Sequence, residues 1–92
     1  MALLDDVKKA LRISNAEYNT EVQDLIDASK LDLKITGIVE TKIIDTDSLI
    51  KRAITLYCKA HFGYNNPDAD RLLQAYDSLK IHLVLSGDYN VV

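Results

Sequence analysis

The chain has 92 residues, nearly half of them apolar and 27% charged, with a formal net charge of −3. That length supports one hydrophobic core and not two, and the apolar share excludes a disordered tail, so a single folded domain over residues 1–92 is expected. Nine acids against six lysines and arginines fall in residues 1–46 and the rest balances, which leaves no basic stripe of the kind that grips nucleic-acid phosphates.

Leu4, Val7 and Leu11 recur at helical spacing, with Asp5 and Asp6 at the end where a helix dipole favours acids, so residues 3–11 read as a short first helix. Ser14 and Glu17 form a capping-box pattern, in which hydroxyl and carboxylate each satisfy a free backbone N–H, and a second helix is expected over 15–36. Its apolar stripe runs Tyr18, Val22, Leu25, Ser29 and Leu33, with Ile26 beside it, and Gly37 supplies the left-handed residue that ends it. Residues 38–45 lose the helical period and are rich in β-branched side chains, which predicts an extended loop or short strand. Two readings stand for Ile38, Val39, Ile43 and Ile44: they tuck beneath the helices, or they form a contact between subunits.

Thr46 or Asp47 is placed to cap a third helix over 47–63, with a stripe of Ile50, Ala53, Ile54, Tyr57, Cys58 and His61. Leu49, Leu56, Ala60 and Phe62 add a second apolar face, so this helix is expected to be central, with His61 packed at the end of its stripe. In Asn66-Pro67-Asp68-Ala69-Asp70 the Asn caps, the Pro sits where its missing N–H costs nothing, and the acids meet the positive end of the dipole. A fourth helix over 67–86 follows, with Leu72, Tyr76, Leu79 and Leu83 inward and Gly87 as its stop. The tail 88–92 carries Tyr89, Val91 and Val92. The fold class is therefore all-α: a compact bundle of four helices, one short and three longer, with an extended loop between the second and third. Leu25, Ile54, Tyr57, Cys58, Leu72, Tyr76 and Leu79 are expected to be buried.

Chemistry-bearing patterns are few. Cys58 is the sole cysteine, so no intrachain disulfide is possible, and its place in the core stripe favours packing over nucleophilic work. Asp68 and Asp70 sit where a helix start prefers carboxylates, and His61 and His82 lie on different helices, short of a zinc set. No catalytic residue, metal site or cofactor is expected. Asp47-Ser48-Leu49 is similar to the phosphopantetheine attachment motif of acyl carrier proteins, with Ser48 as attachment site. Thr46 replaces the usual Gly there, and Lys51 and Arg52 stand where carriers present acids. A small helical DNA-binding regulator is the other alternative, against which no candidate recognition helix is basic along one face. The opening residues lack a basic region followed by an apolar stretch, and no run of ~18 apolar residues occurs, so neither export by a signal peptide nor a membrane span is expected.

Nearly the whole chain resembles the small head-tail connector (adaptor) proteins of tailed bacteriophages and prophages, also described as DNA packaging proteins. The resemblance is carried by the opening residues 3–11, by Leu25-Ile26-Asp27-Ala28-Ser29-Lys30-Leu31-Asp32-Leu33, and by Ala53 to Leu56 leading to His61-Phe62-Gly63-Tyr64-Asn65. Residues 72–80 with Ser86-Gly87-Asp88-Tyr89 are similar to members from phages of Gram-positive hosts. It implies a dodecamer-like ring of copies beneath the portal protein, joined on its far side to the next neck or tail-completion protein. It also implies assembly in the bacterial host cytoplasm and a final place in the virion neck. DNA would pass through without specific binding, because an acidic lumen repels phosphates. Glu21, Asp24, Asp27 and Asp32 on the second helix are the expected lumen-facing acids. Ile38, Val39, Ile43, Ile44, Tyr89, Val91 and Val92 are the expected interface, since they have no place in the helical stripes.

Overall fold

In the computed structural model, which describes residues 3–63 and 66–90, four helices follow one another: α1 (Leu3–Leu11), α2 (Asn19–Thr36), α3 (Ser48–His61) and α4 (Ala69–Leu85). A 3₁₀ turn, Glu40–Lys42, interrupts the connection between α2 and α3, and the described residues contain no strand. The apolar stripes set these helices, while short-range hydrogen bonds set where they begin and end.

α1 ends as the periodicity predicts, at Arg12, whose φ of 62° puts a non-glycine residue in the left-handed region. The N–H of Ile13 then donates to the Lys8 carbonyl at 2.9 Å. The same device closes α2, where Gly37 has φ 130° and the Ile38 N–H donates to the Leu33 carbonyl at 3.1 Å.

α2 starts four residues later than its capping-box pattern predicts, at residue 19 and not 15. The reason is Asn15: its side-chain oxygen accepts from the Glu17 N–H at 3.1 Å, a local turn that takes up the backbone the capping box needs. Asp47 does cap α3, accepting from the N–H groups of Leu49 (2.9 Å) and Ile50 (3.1 Å). Asn66 is not the cap of α4. Its oxygen accepts from the Asp68 N–H at 3.1 Å and its amide donates to the Lys59 carbonyl at 2.6 Å, so it ties the α3–α4 turn to the end of α3, and α4 begins at Ala69.

α3 is the central helix and packs against each of the other three. Ile50, Ala53, Ile54, Leu56, Cys58 and Ala60 are all buried, more than one face of the cylinder. Val7 of α1, Val22, Ile26 and Leu33 of α2, and Leu72, Tyr76 and Leu83 of α4 close around it. Ser29 is also fully buried, its hydroxyl returned to the Ile26 carbonyl at 2.7 Å. Of the residues expected in the core, Ile54, Cys58, Leu72 and Tyr76 are buried, whereas Leu25, Tyr57 and Leu79 are half-buried at its margins. His61 is exposed, its ring against Tyr57 at 4.3 Å, because α3 ends there and the stripe has run past the core. Tyr18 is likewise at the surface, edge-on to Phe62. The molecule measures 38 × 28 × 18 Å, and its short dimension is that of two helix layers with axes about 8–10 Å apart.

Candidate interaction surface

The groups singled out for their chemistry lie apart from one another. Cys58 is fully buried, and burial pushes its thiol up to about 12. Asp68 pairs with Arg71 at 3.4 Å, and no group of three or more metal-ligating side chains occurs among the described residues. Ser48 is exposed at the first position of α3. The strongest polar cluster joins α2 to α4: Asp32 accepts from the Tyr76 hydroxyl at 2.6 Å and from Lys80 at 3.0 Å. Burial works to raise the Asp32 carboxyl, but the bonds from Tyr76 and Lys80 and the Lys80 charge outweigh it and hold the carboxyl below its ordinary range. Burial, and then the bond to Asp32, push the Tyr76 hydroxyl well up.

This cluster separates the four acids expected to act together. Glu21, Asp24 and Asp27 are exposed on the outer side of α2, whereas Asp32 is half-buried and turned toward α4. Its partners lie 44 and 48 residues along the chain, a relationship that no local pattern reveals.

The expected interface residues are divided as well. Ile38 belongs to the hydrophobic core, 1% exposed, because the turn at Gly37 directs it back under the helices. Val39 and Tyr89 are half-buried and bonded to each other: the Val39 N–H donates to the Tyr89 carbonyl at 2.8 Å. The Tyr89 hydroxyl donates to Asp47 at 2.9 Å, so the segment after α4 is strapped across the α2–α3 connection. Ile43 is half-buried and Ile44 is exposed. Val91 and Val92 lie outside the described residues.

Ile43 forms one wall of a cleft of about 230 Å³, completed by Lys30, Leu31, Lys34 and Glu40. Two ion pairs hold its sides together, Lys30 to Asp45 at 3.2 Å and Lys34 to Glu40 at 3.1 Å. Both are solvent-exposed and contribute at most about 1 kcal/mol each. On the helices, Leu31 and Ile35 of α2, Leu49 of α3, and Ile81 and Leu85 of α4 are large apolar side chains that stand in solvent. Reading inward stripes alone passes over the α2 and α4 pairs. Their signal was the i, i+4 spacing of each pair on the side of its helix away from the stripe.

Among the described residues no helix is long and apolar enough to cross a membrane. The described residues offer apolar and acidic surfaces for contact with other macromolecules. No curated protein and no solved structure matches the chain. A family whose description is phage connector protein matches residues 3–90.

Proposed function

The chain belongs to the phage connector protein family, and from that membership we propose that it is the structural head-tail connector (adaptor) subunit of a tailed phage or prophage. Copies close into a dodecamer-like ring under the portal protein, join head to tail, and present a platform to the next neck or tail-completion protein. Assembly takes place in the bacterial host cytoplasm and the finished ring sits in the virion neck. The role is structural and not enzymatic. The family match over residues 3–90 carries this reading, since it spans all four helices.

Two surface features support it. Glu21, Asp24 and Asp27 form an exposed acidic side of α2, and facing the lumen they would repel DNA phosphates and let the duplex slide through unbound. Asp32 has no part in that lining, being committed to Tyr76 and Lys80. Ile43 and Ile44 carry the loop's share of the subunit contact, while Ile38, Val39 and Tyr89 hold the loop in place.

Binding to DNA-filled, portal-bearing heads that lack their connector tests the proposal. Saturable binding at one vertex, with restored tail attachment, is the expected result. Ile44→Ser should weaken it with helicity unchanged, and truncation after Asn90 measures the contribution of Val91 and Val92. Equal binding to heads without a portal, or no binding at all, would overturn the connector reading.

A further inference from the structure

Two helices carry an outward stripe that the fold leaves uncovered. On α4 the stripe runs Asp70, Asp77, Ile81 and Leu85, all exposed and within about 80° round the helix. Ile81 is two residues from the buried Leu83, about 200° round, so the stripe turns away from the core. On α3 the stripe is Leu49, Arg52 and Lys59, also exposed, and Arg52 lies two residues from each of the buried Ile50 and Ile54. The chemistry runs in opposite orders: apolar then basic along α3, acidic then apolar along α4. Arg52, Lys59 and Asp70 join no ion pair among the described residues. Asp77 stands 3.7 Å from Lys80, which makes its closer bond, 3.0 Å, to Asp32.

We infer that the α3 stripe of one copy packs along the α4 stripe of the next, and that this contact is repeated around the ring. The inference rests on the connector reading and gives it a helix-borne contact besides the loop. Register as well as charge selects a second copy as the occupant. Within a copy α3 and α4 run antiparallel: the Tyr57 and Tyr76 rings lie 5.3 Å apart, and Tyr89 after α4 reaches Asp47 before α3. Equal rises counted from the ring contact put Leu49 about level with Val84, Arg52 with Ile81 and Lys59 with Gln74. A rotation about an axis along the helices keeps those heights, so the neighbour's α3 arrives in the same register. Leu49 then meets Leu85, Arg52 lays its stem on Ile81 and reaches Asp77 one turn along, and Lys59 falls midway between Asp77 and Asp70. Unlike stripes make a heterologous contact, which propagates from copy to copy and closes when the rotation allows. Glu21, Asp24 and Asp27 take no part in it, which leaves them to the lumen.

The test reverses the charges in the full chain: Arg52→Glu, Asp77→Arg, and both together. Both positions are exposed, and retained helicity is checked by circular dichroism. In sedimentation velocity up to millimolar concentration the parent chain should form oligomers. Each single variant should associate about tenfold more weakly or worse, because like charges then face each other across the contact. The double variant restores an opposite pair and should recover association toward that of the parent. A single variant that assembles like the parent overturns this contact and leaves the ring reading standing. A double variant no better than the singles also overturns it, since Arg52 and Asp77 would then not meet. A parent chain monomeric throughout overturns it too, and the ring reading is then decided by head binding alone.

Discussion

The Tyr76 hydroxyl donates a 2.6 Å hydrogen bond to the carboxylate of Asp32, 44 residues earlier in the chain, and so fastens α4 to α2 beside the central helix. Lys80 reaches the same carboxylate at 3.0 Å, with its ammonium 4.9 Å from the centre of the Tyr76 ring. Tyr76→Phe keeps the packing and removes a bond to a charged acceptor, so it should cost about 1.5–3 kcal/mol by urea denaturation.

The same cluster sets an acid limit on stability. The Asp32 carboxyl is held below its ordinary value of 3.8 in the folded chain, so the unfolded chain binds the proton more readily. Its contribution is present above pH 3.8 and is lost as pH falls from there through the folded value. Asp32→Asn should therefore be less stable than the parent at neutral pH. The gap between the two should narrow below pH 3.8, and a gap constant with pH would show that the carboxylate's charge is immaterial.

Asp47 serves two masters, capping α3 with one oxygen and accepting from Tyr89 with the other. Asp47→Ala is expected to cost about 1–2 kcal/mol through the lost cap. Tyr89→Phe should cost less in the parent chain, and nothing further once Asp47 is gone. A double-mutant cycle by chemical denaturation reads that coupling directly. Additive losses would mean that the strap is held by the Val39–Tyr89 backbone bond alone.

Arg12 closes α1 with φ at 62°, a conformation that costs a side-chain-bearing residue roughly 1 kcal/mol. The Arg12 side chain is exposed, so little packing is lost by removing it. Arg12→Gly should accordingly raise the stability by up to about 1 kcal/mol, a gain of several degrees in melting temperature for a domain of this size.

Ser48 is exposed at the start of α3, where a carrier protein would bear its prosthetic arm, yet the helix that follows presents Lys51 and Arg52 in place of acids. Incubation with a phosphopantetheinyl transferase and coenzyme A should leave the mass unchanged. A stoichiometric adduct would favour the carrier alternative.

The helices and most of the core were legible because inward stripes such as Ile50, Ile54 and Cys58 repeat at the helical period. Helix starts were less so: Ser14 and Glu17 match a capping box, but Asn15 between them makes a competing turn of its own. The candidate surface was only partly legible. Ile38 and Ile44 look alike in a β-branched loop, and it is the left-handed turn at Gly37 that buries one and leaves the other in solvent. The role of Asp32 depends on partners more than forty residues away. Ile35, Ile81 and Leu85 were passed over, because reading inward stripes leaves out apolar residues on the outer faces of α2 and α4.

The strap between Tyr89 and Asp47 links positions 42 residues apart, so it forms only after both α3 and α4 have been synthesised. α3 likewise has one of its faces covered by α4, which leaves the ribosome after it. At about 5–20 residues per second, a nascent chain carries α3 with that face bare for roughly 1–5 s before Tyr76 and Leu83 arrive. Premature termination within α4 would release a product with the α4-facing side of α3 uncovered, a substrate for chaperones and proteases. Chain order thereby ties the fate of the product to α4: a chain cut short before Leu83 keeps an apolar face of α3 bare and open to proteolysis.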